Sequence, residues 1–122
     1  MPLSKREQAH LERLLSQTLT EACETAKAEL LGFQWLTHVV DYANVPDSLQ
    51  VIWVFDSEAN RQAALAAGQM QRMNDFTAMA LSEAGVRLQQ IERHVSCDSE
   101  QACQHSHAGD WQKRLARRSR RA

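Results

Sequence analysis

Residues 32–56 read GFQWLTHVVDYANVPDSLQVIWVFD, and the fold turns on how this stretch is read. Residues 33–40 and 49–55 are dense in branched and aromatic side chains, which suit a pleated, half-buried surface. Between them, Asn44-Val45-Pro46-Asp47-Ser48 supplies turn chemistry: proline presets φ, and the short polar side chains fold back onto the backbone. Together the runs predict an antiparallel hairpin. Under plain alternation, Phe33, Trp35, Thr37 and Val39 share one face with Leu49, Val51, Trp53 and Phe55. The opposite face still carries Leu36, Val40, Ile52 and Val54, whereas a sheet open to water on one side alternates cleanly. Both faces therefore need a cover, with helices on one and a C-terminal segment or second subunit on the other.

Upstream, Ser4-Lys5-Arg6-Glu7 is a capping-box pattern in which each side chain bonds the other's unpaired backbone N–H. Leu11, Leu14, Leu15, Leu19, Ala22, Cys23, Ala26 and Leu30 follow at helical spacing and predict a helix over 5–31, closed by Gly32. Downstream, Asp56 or Ser57 caps a helix that Ala66-Ala67-Gly68 weakens. A second apolar stripe, Met70, Met73, Phe76, Ala80 and Ala84, runs on to Gly85. This reads as two helices or one bent at Gly68. Val86-Arg87-Leu88 is expected to open a third strand, extending irregularly through Ile91 and Val95 to Cys97. Asp98 or Ser99 caps a short helix, Gly109 interrupts it, and Asp110 caps a last helix carrying Trp111 and Leu115. The expected class is α+β in the order α-β-β-α-α-β-α. A long N-terminal helix and a bent helix pair pack on a three-stranded antiparallel or mixed sheet. Residues 1–112 are expected to form one domain, with 113–122 a basic tail.

A chain of 122 residues with 43% apolar and 24% charged side chains fits one ordinary globular core. No window of about 18 apolar residues exists to span a bilayer, and the first fifteen residues are charged where an export signal is apolar. Three cysteines without framework spacing fit a reducing compartment. The expected location is the cytoplasm. Charge is unevenly placed: residues 113–121 hold six of the fourteen Lys/Arg and none of the fifteen Asp/Glu. An acidic body thus ends in a basic segment.

Motifs for catalysis are missing. The glycines at 32, 68, 85 and 109 are too far apart for a phosphate-cradling loop. No G-x-S-x-G elbow occurs, and the acids are scattered singly. The expectation is a nonenzymatic protein without a cofactor. His94, Cys97, Cys103, His105 and His107 raise a zinc reading, but C-x5-C-x-H-x-H is not a finger or ribbon spacing. On a helix, residues two apart also diverge. Apolar cysteines and solvated histidines account for the run, so no metal is assigned. Trp35 and Trp53 read either as a base-stacking platform or as core, and the lack of interleaved basic residues favours core. Met70, Met73 and Met79 read as core packing or an adaptable partner surface.

The basic segment carries the functional expectation. Arg114, Arg117, Arg118 and Arg121 follow i, i+3, i+4, i+7 spacing and make one cationic helix face, flanked by Lys113 and Arg120. Such a face contacts phosphates of RNA or DNA without sequence selectivity. Two other roles remain open: a solvated end suited to the negative helix terminus, or docking onto the acidic body of the same or a neighbouring subunit. The expected function is a small nucleic-acid-associated or regulatory protein. The alternative is a protein-interaction or adaptor domain that forms a homodimer and binds no nucleic acid.

The segment Gly32-Phe33-Gln34-Trp35-Leu36-Thr37-His38, the run Val51-Ile52-Trp53-Val54-Phe55-Asp56, and Asp98 to Cys103 with Gly109-Asp110-Trp111 resemble short bacterial proteins often labelled Fis-family transcriptional regulators. That resemblance implies a C-terminal helix-turn-helix, here within residues 99–121. The element order, with Ala66-Ala67-Gly68 at a helix kink, is also similar to the type II KH topology of ribosome-binding factor A.

Overall fold

The computed structural model describes residues 3–119, and side chains through residue 116. Its first helix, α1 (Lys5–Lys27), opens on the capping box: Glu7 N–H donates to Ser4 Oγ at 3.1 Å and Ser4 N–H to Glu7 Oε1 at 3.0 Å. It ends at Ala28, short of the expected Gly32, and tight turns carry the chain on to the first strand. Gly32 sits at φ +80, and a Cβ there would lie 2.5 Å from Asn60 Nδ2. Glycine is needed both for the left-handed backbone and for the neighbour it accommodates.

The hairpin forms as expected from β1 (Phe33–Val39) and β2 (Gln50–Phe55), antiparallel. Its faces differ from plain alternation. Phe33 pairs with Phe55 and Trp35 with Val54, so Gln34 is an extra residue in a bulge. One inserted residue flips every later side chain of β1 to the other face. Trp35, Thr37 and Val39 therefore join Val54, Ile52 and Gln50, while Leu36 and His38 join Trp53 and Val51.

Ser57 caps α2 (Glu58–Ala66), accepting from Asn60 N–H, and Gly68 at φ +77 separates it from α3 (Gln69–Glu83). The third strand does not open at Val86, and of its expected course only Val95 to Cys97 is strand. The Val86 N–H closes α3 onto Leu81 O at 2.8 Å, and a 3₁₀ turn, Ile91–Arg93, follows. The strand that pairs is β3 (Val95–Ser99), parallel to β2 with Val51 beside Val95 and Phe55 beside Ser99. The mixed sheet has the order β1-β2-β3. Ser99 caps α4 (Glu100–His107), accepting from Ala102 N–H, and Asp110 accepts from Lys113 N–H at the start of α5 (Trp111–Ser119). The boundary expected between 112 and 113 thus falls inside one helix. Among the described residues no helix is long and apolar enough to cross a membrane.

The main core lies between one sheet face and the α1–α3 pair. Val51, Trp53 and Phe55 meet Leu15, Leu19 and Ala26 of α1 and Met73, Phe76, Ala80 and Leu81 of α3. Phe33 and Phe76 flank Trp53 with ring centroids 4.9 and 6.2 Å away. Trp53 is fully buried, so its indole N–H needs a partner; it donates to Thr77 Oγ1 at 3.0 Å. The second face is closed from within the same chain. Trp35, opposite Val54, packs edge-on against Trp111 of α5 at 4.8 Å, and Cys103 of α4 is fully buried. Ile52 and Val54 have no exposed surface. Of the two covers expected, the C-terminal segment is the one seen over Ile52 and Val54.

Candidate functional site

The basic helix is held to the body by polar contacts that reach from Arg114 and Trp111 of α5 to β3 and α4. Asp98 of β3 lies beside Val54 on the face that α5 covers, and its side chain is 4% exposed. Arg114 meets it fork to fork, Nε donating to Oδ2 at 2.7 Å and Nη2 to Oδ1 at 2.9 Å. Such bidentate, charge-assisted pairs are the strong and directional kind. Arg114 Nη1 also lies 3.2 Å from His107 Nδ1 and 3.4 Å from Ala102 O, tying α5 to the end of α4. The Asp98 hydrogen bonds, against the opposing effect of burial, push the guanidinium's already high pKa further up. One turn earlier, the Glu100 carboxylate accepts from two indoles: Trp35 Nε1 at 2.6 Å and Trp111 Nε1 at 3.2 Å. A carboxylate that binds both rings fixes their edge-on packing.

A second network continues from this anchor. Ser99 Oγ donates to Glu58 Oε2 at 2.6 Å, and Glu58 accepts a bidentate pair from Arg61 at 2.8 and 3.0 Å. The Arg61 and then the Ser99 hydrogen bonds outweigh burial and hold the Glu58 carboxyl below its ordinary value. Ser99 is fully buried and its hydroxyl already accepts from Ala102 N–H. The group therefore joins elements and presents no nucleophile to solvent.

The expected phosphate contacts separate into three groups. Arg114 does not face solvent with its neighbours, because its guanidinium is turned onto Asp98. Lys113, one residue earlier, is exposed. Arg117 and Arg118 lie within α5 but their side chains are outside the described part, and Arg120 and Arg121 lie outside the described residues altogether. The zinc candidates do not converge: among the described residues no group of three or more His, Cys, Asp or Glu is placed to hold a metal ion. Cys103 is fully buried, which pushes its thiol pKa up despite Arg114 nearby, and His94 Nδ1 is 2.7 Å from Leu49 O. Trp53 is core, as expected, while Trp35 is the half-buried partner of Trp111. Sequence reasoning missed Asp98 and Glu100 as anchors. The only signal available was a pair of acids near a basic segment that needed fixing in place. Protein-family models, curated proteins and solved structures contain no significant match to the chain.

A third cluster ties the hairpin loop to α1. Glu12 Oε2 accepts from the Tyr42 hydroxyl and lies 3.1 Å from His38 Nε2. Burial raises the Glu12 carboxyl, but the hydrogen bonds from Tyr42 and His38 outweigh it and leave it below its ordinary value. A carboxyl lowered on folding adds stability above its unfolded pKa of about 4.3, and the gain is lost as pH falls through the folded value. Tyr42→Phe should therefore cost about 0.5–1 kcal/mol at pH 7, the charge-assisted bond being discounted for a half-exposed carboxylate. In urea titrations the gap between variant and parent should close as the pH drops below the carboxyl range. A gap that is constant with pH would assign the loss to packing of the ring.

Proposed function

We propose that the protein is a small nonenzymatic nucleic-acid-associated or regulatory protein that contacts phosphates through the basic end of α5. The observation that carries this reading is the inward turn of Arg114 onto Asp98. It fixes the root of α5 while Lys113 stays exposed, and Arg117 follows Lys113 by four residues on the same helix. Cations on a docked helix lose less freedom on binding a polyanion than the same cations on a loose end. Phosphate contacts of this kind give affinity without base readout. The resemblance to Fis-labelled proteins makes duplex DNA the first ligand to try, with RNA as the second arm.

The anchor decides the design of the test. A chain ending at Gln112 would lose Arg114 along with the tail cations, so loss of binding could follow from a loosened fold. The informative variant keeps Arg114 and changes Lys113, Arg117, Arg118, Arg120 and Arg121 to glutamine. Fluorescence anisotropy with labelled duplex DNA and with RNA should show binding by the parent that weakens with salt. The variant should show a salt slope shallower by about 0.9 for each phosphate contact removed from duplex DNA. An unchanged slope would remove the tail as the contact. Absence of binding by the parent at low salt would leave the adaptor reading, with a protein partner.

A further inference from the structure

Met70 and Met73 lie three residues apart in α3, which sets both thioethers on one face of the helix. The crossover from β2 to β3 through α2 and α3 brings that face onto Cys97, which sits beside Trp53 in the parallel pair. Cys97 Sγ lies 3.7 Å from Met70 Sδ and 3.7 Å from Met73 Sδ. Three sulfurs around one ion at about 2.3 Å, the metal–thiolate length in zinc sites, stand roughly 3.8–4.0 Å apart in tetrahedral or trigonal geometry. The two distances from Cys97 Sγ are thus already close to the sulfur–sulfur spacing of a filled site. Core packing calls for apolar volume at these positions, but it does not call for two methionine sulfurs aimed at one cysteine sulfur.

We propose that Met70, Met73 and Cys97 form a binding site for a soft monovalent metal ion of the Cu(I) type, held by one thiolate and two thioethers. Thiolate and thioether donors are the soft set that selects Cu(I), while harder ions prefer oxygen or imidazole. On binding, the S–H bond of Cys97 breaks, its proton goes to solvent, and the sulfur's electron pair forms the S–Cu bond. No change of oxidation state is involved. One negative sulfur cancels one positive ion, so the filled site is neutral and tolerates its position at the edge of the core. Met73 is fully buried, whereas Met70 and Cys97 are half-buried, and the ion enters across those two. Arg61 of α2 interacts electrostatically with Cys97. The bidentate bond to Glu58 offsets the charge this guanidinium would otherwise oppose to the metal.

The test uses Ag(I), a redox-stable stand-in for Cu(I), and protein carrying 13C-labelled methionine methyls. The host is Cys23→Ala, which removes a half-buried competing thiol and leaves the fully buried Cys103 in place. The Met70 and Met73 methyl signals should move together and saturate at one equivalent, while Met79, 62% exposed, stays put. Cys97→Ala should abolish both shifts. Met70→Leu and Met73→Leu nearly conserve volume and should fold. Each should weaken Cu(I) in competition with a chromophoric chelator by roughly tenfold or more, the scale on which even outer-shell losses act. Met70 and Met73 signals unmoved at saturating Ag(I), or Cu(I) affinity unchanged in both leucine variants, would overturn the proposal.

Discussion

Arg114→Met is expected to lower folding stability by about 3–5 kcal/mol, because it removes the bidentate guanidinium that faces the buried Asp98 carboxylate. Asp98 is the buried member of the pair at 4% exposure, and Arg114 is 19% exposed. The cost is set by the charge left behind, since the methionine keeps much of the arginine stem's packing. The double variant Asp98→Asn, Arg114→Met should recover a large part of the loss, since both charges of the pair are then removed. Urea denaturation at neutral pH measures both, and indole fluorescence reports whether Trp111 leaves Trp35. A single variant within about 0.5 kcal/mol of the parent, the range of ordinary surface changes, would mean that the pair does not form.

Val54→Asp should have a comparable or larger effect. Val54 is fully buried in the central strand, and its face is filled by Trp35 from β1 and by the C-terminal helices. Asp98, itself a carboxylate, is its neighbour across the parallel pair. A second charge there has no partner, because Arg114 is already engaged by both its Nε and its Nη2. The expected loss exceeds about 4 kcal/mol, enough to remove most of the stability of a small domain. Thermal unfolding should lose its cooperative transition. Gln34→Asp on the exposed bulge is the matched control and should stay within about 0.5 kcal/mol. Near-parental melting of Val54→Asp would place α4 and α5 away from the sheet.

Legibility in the sequence followed the range of the interactions. Ser4 and Glu7 are three residues apart and bond each other, so their capping box could be read directly. The same holds for Ser57, Ser99 and Asp110, each of which caps within three residues. The hairpin could be read from its composition, but the bulge at Gln34 could not. Either register satisfies the local pattern, and the choice rests on which indole the α1–α3 face accepts. The third strand was expected to open at Val86 and reach Cys97 irregularly, because Val86-Arg87-Leu88 looks like a strand, while Asp98 and Ser99 look like helix caps. Their polarity has a tertiary cause: Asp98 answers Arg114 and Ser99 answers Glu58, 16 and 41 residues away. For the same reason helical spacing grouped Arg114 with Arg117, Arg118 and Arg121 as one cationic face. Periodicity places a residue on a helix face and says nothing of an acid waiting in another element. The sulfur cluster was half visible, as a methionine stripe, and only the crossover adds Cys97 to it.

The cover on the second sheet face comes from α4 and α5, and both follow every strand along the chain. On the ribosome the strands are therefore complete while Ile52 and Val54 still look out onto water. A nascent chain at that stage carries an apolar sheet surface and an Asp98 that has not yet met Arg114, features that favour capture by chaperones over folding. Translation cut short after Ser99 would yield a product marked for removal by its own bare face, so quality control of this protein is expected to act chiefly on fragments that lack the two C-terminal helices.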